Sequence, residues 1–228
     1  MSHPVPLPAA PACRIRQVFR EAPLYAILDT GARPDLSPAE VAESLLRAGV
    51  RVIQYRHKDS FRRENFDQCH SLARQVHQAG GLFIVNDRAD VAALCGADGV
   101  HLGQMDLPAA KARQFLGEGS IIGHSTHTSE QAALAERLPV DYIAIGPVFP
   151  TRTKQHPDPV VGLAVVSEVR KLTTKPLVAI GGITLDNAPA VLRAGADAVA
   201  VISDLLRDSH VEQRVRQFLA AMPRGGKQ

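Results

Sequence analysis

Short runs of Val, Ile and Leu recur along the chain. Between them lie longer stretches in which apolar residues return every three or four positions, the pattern of strands buried on both faces and separated by covering helices. It predicts eight strands, at 24–28 (LYAIL), 51–55 (RVIQY), 82–86 (LFIVN), 98–102 (DGVHL), 120–123 (SIIG), 141–146 (DYIAIG), 177–181 (LVAIG) and 198–202 (AVAVI). Helix signals fall in the gaps: Ser37-Pro38 reads as a cap followed by a first-turn proline, Thr128 with Gln131 as a capping box, and Asp186 and Asn187 as caps near another start. Gly49 and Gly195 mark helix ends. The segments RAGVRVIQ (47–54), CGADGVHLG (95–103) and RAGADAVAVIS (193–203) repeat one step of helix end, glycine and strand. Eight such units of roughly 25 residues make an α/β fold, a single (β/α)8 TIM barrel, and closure explains why no strand carries the charges that guard an open edge. A doubly wound open sheet is the alternative, but no G-x-G-x-x-G follows the first strand.

Composition adds one domain and few surprises. The 228 residues are 45% hydrophobic and 21% charged, enough to bury one substantial core, and no Pro/Gly/Ser-rich linker divides the middle. Residues 21–222 are expected to form the barrel and 223–228 a C-terminal tail. Residues 1–20 read as an N-terminal extension, its first twelve positions holding four prolines and no apolar period, hence a disordered or loosely attached tail. That tail lacks the basic start and apolar run of a secretory signal, and no stretch of about 20 apolar residues follows, so a cytoplasmic protein without membrane spans is expected. Cys13, Cys69 and Cys95 are too scattered for a disulfide framework or a zinc site. A net charge of +3 without a basic run, 4% aromatics and no Trp argue against nucleic acid as partner. The same balance suits small anionic substrates if the cations converge. A homo-oligomer is left open.

In a barrel the chemistry collects at the C-terminal ends of the strands. Strand two runs into Gln54, Arg56 and Lys58, whose spacing of two turns all three the same way if the chain stays extended, three donors suited to an anion or to an ordinary solvated end. Strand three ends at Asn86 and Asp87, and strand four leads to Asp106. The two carboxylates could share a magnesium ion, or each could cap the helix that follows. Strand five ends in Gly123-His124-Ser125-Thr126-His127 without a nucleophile-elbow motif, which excludes hydrolase chemistry of that kind. The polar, proline-rich segment 146–163 carries Thr151, Thr153 and Lys154, equipment for gripping phosphate, in a loop too long for a plain connection. Gly182 after strand seven, with Ile202 and Ser203 immediately before an expected helix, suggests a backbone phosphate cradle.

Taken together, QYRHK, NDRAD, GVHLGQMD, GHSTHT, GPVFPTRTK, AIGGIT and AVIS resemble the successive motifs of the thiamine-phosphate synthase family, in that family's order, over roughly residues 24 to 207. The resemblance implies a transferase of thiamine biosynthesis. It would join 4-amino-2-methyl-5-hydroxymethylpyrimidine diphosphate to 4-methyl-5-(2-phosphoethyl)thiazole, with release of pyrophosphate. It also implies that Gln54, Arg56, Lys58, Asn86, Ser125 and Lys154 hold the pyrimidine diphosphate, and that Asp87 and Asp106 bind Mg2+. Thr151, Thr153, Gly182, Ile202 and Ser203 would hold the thiazole phosphate. Arg56, Lys58, Ser125 and Lys154 would carry catalysis. Two positions depart from the family's habit, His57 where Glu is common and His124 where an apolar residue is common. Two rival expectations are a thiazole tautomerase of the same fold, in which His127 would matter most, and a non-catalytic sensor of thiamine-type phosphates.

Overall fold

Alternation within each strand builds the molecule. In the computed structural model, which describes residues 10–151, 158–207 and 210–222, strands β1 (Leu24–Asp29), β2 (Val52–Arg56), β3 (Leu82–Asn86), β4 (Gly99–Leu102), β5 (Ile121–Thr126), β6 (Tyr142–Ile145), β7 (Leu177–Ile180) and β8 (Ala198–Val201) pair in parallel, each with its neighbour in sequence, and β8 closes on β1. One set of positions, such as Leu24, Ala26 and Leu28, packs outward under the helices. The other set faces the barrel axis, and along each strand it changes from apolar at the N-terminal end to polar at the C-terminal end: Val52, Gln54, Arg56 on β2, and Leu82, Ile84, Asn86 on β3. The eight expected strands are all present with ends shifted by no more than a few residues. β5 is the longest overrun, reaching Thr126 and so bringing Ser125 into the sheet.

The covering helices are α2 (Pro38–Arg47), α3 (Arg63–Gln78), α4 (Ala89–Cys95), α5 (Ala109–Leu116), α6 (Ser129–Ala135), α7 (Gly162–Leu172), α8 (Ala188–Arg193) and α9 (Val211–Ala221), preceded by α1 (Pro11–Glu21). Thr128 Oγ1 accepts the Gln131 N–H as expected of a cap, while the Gln131 side chain reaches one residue further back, to the His127 N–H at 2.7 Å. Asn187 does not cap α8. Its side chain accepts from Thr184 N–H and donates to Gly182 O, fixing the turn after β7 instead.

Two expectations change. The extension read over residues 1–20 is, over its described inner half, a helix: Ile15, Val18 and Phe19, spaced i, i+3, i+4, turn one apolar stripe into the floor of the barrel, where Ile15 and Phe19 are fully buried among Tyr25, Val52, Leu82 and Tyr142. It is tied to the barrel by an Arg14–Asp98 ion pair and by Arg16 Nη2 donating to Thr174 O at 2.7 Å. Residues 1–9 and the 223–228 tail lie outside the described residues. The second change concerns the end of β8. Residues 203–206 form turns, and α9 starts only at Val211, because Asp204 is drawn to Leu185 N–H and Arg214.

One acidic device recurs just ahead of alternate strands, in two of the echoing segments and once outside them. Asp98, Asp141 and Asp197 stand just before β4, β6 and β8, and each accepts a backbone N–H from the first or second residue of the preceding strand, Phe83, Ile122 and Leu177, at 2.8 Å. Each is also paired with an arginine, Arg14, Arg113 or Arg170. The Asp141–Arg113 pair is the most buried. Asp141→Ala is therefore expected to destabilise the fold by about 3 kcal/mol, since it strands a buried guanidinium and an N–H together. Thermal melting would show this as a fall of several degrees, and an unchanged melting temperature would refute it.

Candidate active site

Because the polar inward positions sit at the top of each strand, they meet in one cleft of about 500 Å3 over the C-terminal end of the barrel. Gln54, Arg56 and Lys58 line it from β2, Asn86 and Asp87 from β3, and Asp106 and Ser125 from the ends of β4 and β5. Thr151, Gly182, Ile202 and Ser203 line the facing wall. Every described residue that the sequence singled out for the site is thus in the same cavity. Thr153 and Lys154 lie outside the described residues.

The cations are held by partners. Arg56 pairs with Asp29, the last residue of β1, which is only 6% exposed and also accepts the Gly31 N–H. Lys58 Nζ lies 2.5 Å from the Asp87 carboxylate. Asp87 itself has φ of 62°, the left-handed region that aspartate tolerates better than most residues, and its N–H is bound by His101 O at 2.8 Å. Such backbone strain is common where a side chain must be aimed.

Neither carboxylate caps a helix. Arg88 precedes α4 and Pro108 precedes α5, neither helix with a side-chain cap. Asp106 instead folds back to accept the Gly103 N–H at 2.6 Å and stands against Asp87. Partial burial raises its pKa above the usual aspartate value, with the neighbouring Asp87 charge adding to the effect and Lys58 opposing it. Two facing carboxylates fit a divalent cation, and magnesium commonly takes one or two protein carboxylates with phosphate oxygens in its remaining positions. Nearby, Asn86 Nδ2 is buried without a hydrogen-bond partner among the described residues.

The two histidines that depart from the family's habit sit at the rim. His57 bonds Thr30 Oγ1 through Nδ1 at 2.8 Å and lies parallel to Tyr55. Burial lowers the pKa of His124, Asp106 opposing and His127 reinforcing the shift, so it favours the neutral ring. His127 bonds Gly146 O through Nδ1 at 2.6 Å, and its Nε2 lies 3.5 Å from Asp158. It clasps the segment after β6 to β5.

On the opposite wall Gly181 and Gly182 both have positive φ, and a Cβ at Gly182 would come within 2.5 Å of Pro150 O. Glycine lets the turn after β7 lie against the segment after β6. The helix start expected immediately after β8 is absent, since residues 203–206 form turns.

A family model described as thiamine monophosphate synthase matches residues 24–205, the barrel from β1 to the turn after β8. The chain belongs to the thiamine monophosphate synthase family. A thiamine-phosphate synthase of Koribacter versatilis is 48% identical over 200 residues, covering 86% of this chain and 93% of that protein, and one of Lawsonia intracellularis is 40% identical over 202 residues, covering 89% and 93%. Among solved structures, thiamine phosphate pyrophosphorylase from Pyrococcus furiosus superposes with a TM-score of 0.80 at 33% identity, over 90% of this chain and 96% of that one. A geranylgeranylglyceryl phosphate synthase from Thermoplasma acidophilum, at 16% identity and a TM-score of 0.68, shares the fold alone. Membership makes this chain a transferase of thiamine biosynthesis built on the TIM barrel.

The sequence did not single out Asp29, Tyr25, Tyr142 or His101 as site residues. Tyr25 and Ile27 point inward on β1 and Asp29 follows at the same spacing to pair with Arg56, and that spacing was the available signal.

Proposed function

We propose that this member of the thiamine monophosphate synthase family joins 4-amino-2-methyl-5-hydroxymethylpyrimidine diphosphate to 4-methyl-5-(2-phosphoethyl)thiazole, giving thiamine phosphate and pyrophosphate. The observation that carries the reading is the meeting of Arg56, Lys58, Asp87 and Asp106 on one side of a cleft whose other side is made of turn backbone. A diphosphate needs the first side, and a single phosphate suits the second. Arg56 and Lys58, joined by Lys154 from the segment outside the described residues, stabilise charge gathering on the departing diphosphate oxygen. Asp87 and Asp106 would hold Mg2+, which neutralises diphosphate charge when bound.

With that charge stabilised, the bond between the methylene carbon and the diphosphate oxygen breaks and its electron pair leaves with pyrophosphate. The electron-rich aminopyrimidine spreads the resulting positive charge. The thiazole nitrogen, positioned by Thr151, Thr153, Gly182, Ile202 and Ser203 acting on its phosphate, then closes the new C–N bond with its lone pair. His127 is clasped through both ring nitrogens, which supports a structural part for it and weighs against a tautomerase.

The deciding assay mixes the purified chain with both substrates and a magnesium salt and follows thiamine phosphate and pyrophosphate. No product would overturn the reading. An electron-withdrawing fluorine on the pyrimidine is expected to slow single turnover by about 100-fold or more, because it destabilises the cation. An undiminished rate would exclude bond breaking ahead of bond making.

A further inference from the structure

Beneath the cleft runs a chain of hydrogen bonds that the substitution chemistry does not require. Gln54 Nε2 donates to Tyr25 Oη at 2.8 Å, and Tyr25 Oη meets Tyr142 Oη at 2.9 Å. Tyr142 Oη meets His101 Nδ1 at 2.8 Å, and His101 Nε2 meets Ser125 Oγ at 2.8 Å. The chain passes from β2 through β1, β6 and β4 to β5, and both its ends open on the same cavity. It is deliberately housed. A Cβ on Gly123 would lie 2.0 Å from Tyr142 Cζ, so only glycine there lets that ring reach the axis. Phe19 packs edge-on to Tyr142 from below at 6.5 Å.

Each link constrains the next, because a phenol has one proton and a neutral imidazole has one donor and one acceptor. Tyr25 accepts from Gln54, and the acceptor that the described residues offer its buried proton is Tyr142 Oη. Tyr142 therefore gives its own proton to His101 Nδ1, which leaves the imidazole proton on Nε2, donated to Ser125. Ser125 Oγ accepts, and its hydroxyl proton is left to point into the cleft. At the other end, Gln54 Oε1 has no hydrogen-bond partner among the described residues and faces the same space as an acceptor. Turning the Gln54 amide over would reverse every link together: Gln54 would offer N–H and Ser125 only lone pairs. Burial pushes both phenols well above the usual tyrosine range, so they remain proton carriers within the chain and do not ionise.

We propose that Tyr25, Tyr142 and His101 are positioning residues that set the faces of Gln54 and Ser125 in opposite senses, so that the ring between them must present a donor to Gln54 and an acceptor to Ser125. The proposal rests on the function above and deepens it. A 4-aminopyrimidine carries that pair, an exocyclic N–H beside a ring nitrogen lone pair. Its 4-oxo counterpart carries the reverse, a carbonyl beside a ring N–H, and could be matched only by reversing the whole chain. Cutting the chain at one phenol frees the two ends to reorient separately and relaxes the discrimination.

Calorimetric titration of the whole protein with Mg2+ and each of the two diphosphates, without thiazole, measures recognition with no turnover. The preference for the amino over the oxo compound is expected to shrink by at least about tenfold in both Tyr142→Phe and Tyr25→Phe. A merely structural role would weaken both compounds alike, so an unchanged preference in both variants overturns the proposal. In the unliganded wild type, nitrogen-15 spectra should show the His101 proton on Nε2. Finding it on Nδ1 overturns the proposed polarity. Both readouts stand apart from product formation, so a protein that makes no thiamine phosphate would fail the proposed function while these measurements still decided the role of the chain.

Discussion

Asp106→Asn is expected to lower kcat by about 100-fold or more while leaving the metal-free protein at least as stable as wild type. The two halves of that expectation share one cause. Asp106 is partly buried and stands against Asp87, so its carboxyl holds a proton more tightly in the folded chain than in the unfolded one. A raised folded pKa means that stability is full below the ordinary aspartate value and is lost as pH rises through the elevated one. At neutral pH the ionised Asp106 is therefore a cost that the fold carries. Asparagine removes the charge, keeps the shape and can still accept the Gly103 N–H, so the slope of metal-free stability against pH in that window should flatten. Added Mg2+ should raise the melting temperature of the wild type, since a ligand that binds only the folded state stabilises it, and that increment should vanish in the variant. Melting curves with and without Mg2+, beside single-turnover rates, check each part. Wild-type activity in Asp106→Asn would refute the proposed metal site, and a collapsed melting temperature would refute the account of its charge.

The sequence made the sheet legible because parallel strands buried on both faces are nearly pure apolar runs, and the helices between them announce themselves by period. The upper wall of the site was legible for a related reason. The barrel places strand ends at one rim, so QYRHK, NDRAD and GHSTHT could be assigned to a common cleft without knowing any contact. What stayed hidden depends on contacts between strands distant in sequence. Tyr25 and Tyr142 fall inside predicted strands with no chemistry assigned to them, and only the closed sheet brings their hydroxyls together with His101. Asp29 read as the residue after a strand, and only pairing with β2 sets it on Arg56. The turn after β8 was missed because the pull of Asp204 toward Leu185 and Arg214 is a tertiary effect that local propensity does not show. The first helix was missed for a different reason. Four prolines dominate residues 1–12, but the last of them, Pro11, sits in the first turn of α1, where it favours a helix instead of breaking one.

That helix carries the second large expected effect. Phe19→Ala should cost about 3–5 kcal/mol of stability, the range for emptying a large buried aromatic site. The floor of the barrel explains why so little of this can be recovered. Ala198 contributes almost no side chain there, and the space above α1 is filled by Ile15 and Phe19 against Tyr25 and Tyr142. A cavity at Phe19 would be walled by a closed, hydrogen-bonded sheet, which cannot collapse inward as a loose helix pair can. The same loss should reach the site, because Phe19 supports the rings whose hydroxyls connect Gln54 to Ser125. Phe19→Leu, which keeps most of the volume, should restore most of the stability. Denaturant titration measures the first effect, and the affinity for the pyrimidine diphosphate under conditions where each variant is fully folded measures the second. A Phe19→Ala protein as stable as wild type would mean that α1 lies against the barrel without closing it.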